Sequence, residues 1–171
     1  MNPMDNAQMT SQMAQINTVS GINQLNETMK SMAAQFNSMQ ILQGTSMIGH
    51  DVLMKSNTLS ISDGKAKGAI DLAGDASSVN VQILSPGGQV LDTLNLGSQS
   101  AGRHSFEWNA SSYTGTANPT FKVVAANGKT AVDTTALAQD TITSVGTNGT
   151  SMNLQLKGRA AIAYDAVQSV L

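Results

Sequence analysis

The chain contains no cysteine. Disulfide staples, thiolate metal ligands and thiol nucleophiles are therefore excluded. Charge is scarce as well. Asp, Glu, Lys and Arg make up 12% of the 171 residues, about half the usual globular share. The nine Lys and Arg are spread from Lys30 to Arg159 rather than clustered. A protein that grips a nucleic-acid backbone needs grouped cations, because its affinity comes from releasing counterions, so no nucleic-acid partner is expected. No apolar run approaches the roughly 20 residues of a membrane helix, and no membrane insertion is expected. The N-terminal MNPMDNAQMTSQ is polar and lacks the basic start and apolar block of a cleaved signal peptide.

Groups that carry chemistry are equally few. His50 and His104 are far apart in sequence, have no carboxylate at ligand spacing, and fit neither a metal site nor a catalytic triad. Asp71 and Asp75 bracket Ala73-Gly74 but lack the oxygen run of a calcium loop; a solvated loop is expected. Ser85-Pro86-Gly87-Gly88 and Gly146-Thr147-Asn148-Gly149 open no helix and carry no phosphate-loop lysine. They read as hairpin turns. No enzyme activity, cofactor or metal is expected.

What the chain does have changes character near residue 43. Residues 1–42 hold seven of the ten Met, many Gln, Asn and Ser, and one Gly, Gly21. From Gly44 onward Gly, Thr, Val and Asn dominate in short runs punctuated by turns. The first part reads as helix and the second as β-structure.

In the helical part the apolar positions are Met9, Met13, Ile16, Val19, Ile22, Leu25, Met29, Met32, Phe36 and Met39. From Ile22 to Met39 they alternate in steps of three and four, as along a coiled-coil seam. Between Ile16 and Ile22 repeated steps of three break the phase, and Gly21 falls in the break. This predicts two helical pieces, about Asp5 to Val19 and about Ile22 to Met39, with Asp5 as N-cap. Glu27 and Lys30 are the only charges from Thr10 to Gly49, so intrahelical ion pairs contribute little. A helix this poor in Ala and Leu is marginal alone. Either it packs on its own domain's core, or it orders against partner helices. The stripe is long, uncharged and outside the β-rich part, which favours the second reading. Its contact residues are then Ile22, Leu25, Met29, Met32, Phe36 and Met39.

In the β-rich part, strands are predicted at Asp51–Lys55, Thr58–Ser62, Lys67–Leu72, Val79–Ile83, Gln89–Leu96, Arg103–Trp108, Phe121–Ala126, Thr130–Asp133, Asp140–Val145 and Ser151–Leu156. Asp63-Gly64, Ser85–Gly88, Asn127-Gly128 and Asn148-Gly149 are the turns. This spacing indicates a sandwich or small barrels. Phe106 and Trp108 share one strand face. The single Trp reads as a core plug rather than a ligand platform.

Asn2-Pro3-Met4-Asp5-Asn6-Ala7-Gln8-Met9-Thr10-Ser11-Gln12-Met13-Ala14-Gln15 resembles the signature of the bacterial flagellar hook-capping (hook scaffold, basal-body rod modification) family, with Asn2, Pro3, Met4, Asp5, Gln8, Gln12 and Gln15 as its motif residues. Ser46-Met47-Ile48-Gly49-His50-Asp51-Val52 resembles the start of that family's globular part. Gly102, Phe106 and Trp108-Asn109 resemble its immunoglobulin-like segment, with Asn109-Ala110 where the family has Asp-Gly. Asn118-Pro119-Thr120-Phe121 stands where a Gly-x-Tyr is usual. Family members carry further residues ahead of the motif, an export region included, that are absent here.

The resemblance implies a mainly β fold with an N-terminal α-helical extension. Residues 1–42 would be the oligomerisation and partner-binding segment. Residues 45–71 and 134–171 would form a Tudor-like (SH3-like) barrel, with an immunoglobulin or fibronectin-III-like sandwich, 72–133, inserted. It implies a non-catalytic cap at the distal tip of the growing hook that promotes assembly of hook-protein subunits. The implied partners are hook protein, further copies of the chain in a pentamer, and the type III export apparatus that delivers it without a cleaved signal. The rival reading is a secreted carbohydrate-binding or adhesin-like β-module on a helical stalk, which requires an exposed aromatic platform.

Overall fold

The computed structural model describes residues 3–148 and 151–171. It opens on one helix, α1 (Pro3–Thr45). Two helical pieces with a cap at Asp5 are not what forms. The helix begins at Pro3 and runs unbroken through Gly21. Glycine in a helix interior costs only about 1 kcal/mol relative to alanine, too little to stop a helix without a second breaker. Uncharged side chains along it bond to its own backbone. Thr18, Thr28 and Ser38 each donate a hydroxyl to the carbonyl four residues earlier, a local arrangement open to Ser and Thr in helices.

Among the described residues twelve strands follow: β1 (Asp51–Lys55), β2 (Ile61–Ser62), β3 (Lys65–Leu72), β4 (Ala76–Leu84), β5 (Val90–Gln99), β6 (Gly102–Asn109), β7 (Thr120–Asn127), β8 (Thr130–Ala131), β9 (Thr134–Asn148), β10 (Ser151–Leu156), β11 (Ile162–Ala163) and β12 (Val167–Val170). Three of the expected turns, Asp63-Gly64, Ser85–Gly88 and Asn127-Gly128, form. Asp63 and Gly64 both take positive φ, 54° and 74°, the conformation a tight hairpin of this type demands. Gly88 donates to the Ser85 carbonyl at 2.9 Å. Gly149, in the expected Asn148-Gly149 turn, lies outside the described residues. Thr58–Ser62 is not a full strand: only Ile61–Ser62 pairs with β3, and Thr58 makes an isolated bridge to Thr120.

Two β units share one strand. In the sandwich, β4 lies between β5 and β7, and β8 closes that sheet. The facing sheet is built on β3, which pairs with β2, β6 and the start of β9. Leu59, Ile70, Val79, Val81, Ile83, Phe106, Trp108 and Phe121 fill the space between. Phe106 meets Phe121 edge-on at 5.0 Å between ring centroids. Gly68 makes room for that ring: a Cβ there would stand 2.7 Å from Phe106 Cζ, closer than packed carbons approach.

In the second unit, β9 continues past residue 138. Its Asp140 and Thr141 pair with β1, and its far half pairs with β10. β11 and β12 add to β10 and β1. Val52, Met54, Ile142, Met152, Leu154 and Leu156 form its core. Leu53, Ala69 and Leu137 make a third small cluster on the three strands β1, β3 and β9, which run side by side.

Candidate interaction surface

The helix touches the rest of the chain only at its end. Gly44 is buried there, and a Cβ on it would meet Val145 Cγ1 at 2.7 Å and Met152 Sδ at 2.8 Å. Met47 packs on the second core. Gly49, at φ 88°, turns the chain and donates to the Ile142 carbonyl at 2.9 Å. Ahead of this anchor Ile41 is half-buried, and the apolar residues from Met9 to Met39 are exposed. Ile22, Leu25, Met29, Met32, Phe36 and Met39 are all exposed, Leu25 at 66% and Phe36 at 62%. No segment of the described residues covers them.

Continuity through Gly21 changes what the break in phase means. At 3.6 residues per turn, Ile22 to Met39 gather on one side of the cylinder. Met9, Met13 and Ile16 gather about 160° away from them around the axis by the same geometry, and Val19 falls between. The repeated steps of three therefore carry the apolar stripe from one face of a straight helix to the other. Both faces are uncovered: Met13 and Ile16 are each 64% exposed.

The other sequence-predicted residues lie elsewhere. Asn2 lies outside the described residues. Pro3, Met4, Asp5, Gln8, Gln12 and Gln15 are on the free end of α1. Phe106 and Trp108 are buried at 6% and 4% exposure, in the sandwich. The Trp108 indole donates to Asp92 Oδ2 at 2.9 Å, and its ring lies 6.0 Å from Tyr113.

Asp71 and Asp75 do not form a shared solvated loop. Asp71 is on β3, and Arg103 Nε and Nη2 grip its two oxygens at 2.8 Å each. These bonds hold its carboxyl below the ordinary range. Asp75 accepts from the Ala101 amide. His50 and His104 each bond a backbone carbonyl, of Leu171 and Ser100. Among the described residues no group of His, Cys, Asp or Glu is placed to hold a metal, and no helix is long and apolar enough to cross a membrane.

The sequence did not point to the polar cluster around Asp140. There Arg159 Nε lies 3.1 Å from Asp140 Oδ2, with the two side chains 14% and 4% exposed. A cleft of about 510 Å³ lined by Asp51, Lys67, Gln139 and Lys157 opens beside it.

This is the architecture of a mainly β protein in which an immunoglobulin-like domain follows one long free helix. The family model of the FlgD Ig-like domain matches residues 56–129, and that of the flagellar hook capping protein N-terminal region matches residues 1–31. The basal-body rod modification protein FlgD of Salmonella typhimurium is 32% identical over 99% of this chain and 78% of its own length. The Escherichia coli protein of that name is likewise 32% identical, over 99% and 79%. FlgD of Xanthomonas campestris superposes with a TM-score of 0.66 at 25% identity, covering 77% of this chain and 99% of that one. FlgD of P. aeruginosa shares the fold, with a TM-score of 0.58 over 73% of this chain. The chain belongs to the FlgD family of flagellar hook-capping proteins.

Proposed function

We propose that this chain is a non-catalytic hook cap: a scaffold at the distal end of the growing flagellar hook that promotes assembly of hook-protein subunits. Family membership supplies the setting. The observation that carries the mechanism is the helix of 43 residues, along which the apolar residues from Met9 to Met39 are exposed on two faces. A lone helix in water buries too little to hold itself together. It therefore contributes most once neighbours cover it, as an amphipathic helix does in a groove or bundle.

Two opposed faces suit a subunit that contacts a neighbour on each side. Contacts of that head-to-tail kind close into a ring when the rotation allows, in keeping with the pentamer that the family resemblance implies. Ile22, Leu25, Met29, Met32, Phe36 and Met39 make the face toward another copy or toward hook protein. The β units form the plate. In our reading the sandwich unit takes in the chain from residue 56, since Leu59, Ala66 and Ile70 lie in its core, and the β1–β9–β10 unit is the Tudor-like barrel. The type III export apparatus would deliver the chain. A carbohydrate-binding reading needs an exposed aromatic platform, and the one Trp is in the sandwich core.

Sedimentation velocity over a hundredfold range of concentration, with and without hook protein, tests the helix's part. The parent chain is expected to gain mass with concentration or on adding hook protein. Met32→Asp with Phe36→Asp is expected to stay a monomer in both. A double variant that associates like the parent would remove the stripe from the interface.

A further inference from the structure

The two β units are joined twice along the chain, by the step from β1 to residue 56 and by the shared strand β9. Along β9 the units also share the small cluster of Leu53, Ala69 and Leu137 and the pairing of Leu137 and Ala138 with both β1 and β3, a narrow seam across which adjoining units ordinarily keep relative motion. A further attachment lies beside it. Residues 56–60 run as a strap along the sandwich. Leu59 donates to the Pro119 carbonyl and Phe121 donates to the Asn57 carbonyl, both at 2.8 Å. The Leu59 side chain is fully buried in the sandwich core. The strap's other side faces Arg159, which follows β10 in the second unit.

Arg159 uses its whole guanidinium there. Nη2 donates to the Thr58 carbonyl at 2.7 Å and to Ser60 Oγ at 3.2 Å, and Nη1 donates to Ser56 Oγ at 3.2 Å. Nε donates to Asp140 on β9, whose Oδ2 also accepts from Ser60 Oγ at 2.7 Å. Two further contacts seat this loop. A Cβ at Gly158 would stand 2.4 Å from Ser60 Cβ, so only glycine lets the backbone lie so close to the strap. Asn118, in the sandwich, donates to the Gly158 carbonyl at 2.9 Å. Planar multi-point donation of this kind is what arginine provides and lysine does not.

We infer that Arg159, with Asp140 and Gly158, is a latch that fixes the orientation of the sandwich relative to the second β unit, so that the two move as one rigid plate. The inference stands apart from the function proposed above, since it concerns only this chain's own geometry.

The lack of cysteine makes the test direct. Lys122→Cys on β7 and Gln155→Cys on β10, both exposed, accept spin labels, and pulsed electron resonance reads the distance between the units. The parent is expected to give one narrow distribution. Arg159→Gln is expected to broaden it about twofold or more, the freedom usual for loosely joined units, with the burial of Trp108 retained by fluorescence. Asp140→Asn with Arg159→Gln removes both charges at once, leaves no lone buried charge, and is expected to broaden it as well. A parent-like width in either folded variant would overturn the latch. Loss of folding in both would overturn it too, because the cluster would then belong to the core of the fold rather than join two folded units.

Discussion

Asp51 shows how single side chains tie this fold together. It begins β1 and accepts Thr141 Oγ1 at 2.6 Å and Gln139 Nε2 at 2.7 Å, both from the neighbouring β9. The Thr141 bond is the main cause that lowers its pKa from the ordinary 3.8, and partial burial opposes the shift. The sign of the pH effect follows. A carboxylate with a lowered pKa in the folded state stabilises that state fully above its unfolded pKa, and the stabilisation fades as pH falls through the folded value. The melting temperature is therefore expected to drop as pH is lowered below about 4. Asp51→Asn should start lower at neutral pH and lose less over the same interval. Parallel melting curves of the two proteins between pH 6 and pH 2 would rule this out.

Residue patterns announced some of these roles and hid others. Phe106 and Trp108, two apart on a strand, share a face by the period of a strand alone. Arg159 and Asp140 gave no signal, because they bond each other and residues 56–60, which lie far off in sequence, and only the folded topology brings these together.

At the scale of elements, hydrophobic period and turn chemistry located β1, β3, β6, β7, β8 and β10 to within two residues. β10 matches its predicted span, and the Asp63-Gly64 and Ser85–Gly88 turns fall where glycine makes positive φ cheap. Two features were not legible. β11 and β12 are short and gain their place only by pairing with β10 and β1. β9 extends well beyond Asp140–Val145 because different partners support its two halves.

The helix is the clearer lesson. A run of steps of three reads equally as a break or as a change of face, and periodicity alone does not choose between them. Nothing lies within 4 Å of a Cβ built on Gly21, so its glycine answers no packing need. Gly21→Ala is expected to stabilise the helix by about 1 kcal/mol, seen as added helicity by far-ultraviolet circular dichroism. The melting of the β units should not change. A loss of helicity would mean that the chain bends at Gly21 after all.

At the scale of the whole molecule, one part packs on its own cores and the other leaves its apolar residues uncovered. The β units bury their apolar residues in their own cores. The helix leaves its apolar residues from Met9 to Met39 exposed, and its end is seated where Gly44 meets Val145 and Met152. That division fits a scaffold whose plate is preformed and whose contacts are completed on assembly. The most direct measurement is polymerisation of hook protein on short hook fragments, followed by electron microscopy with parent chain, Met32→Asp/Phe36→Asp, or no added chain. The parent is expected to speed elongation at the distal end, and the double variant to fall to the level without it. Elongation by the variant equal to the parent's, or a parent that adds nothing over hook protein alone, would contradict it.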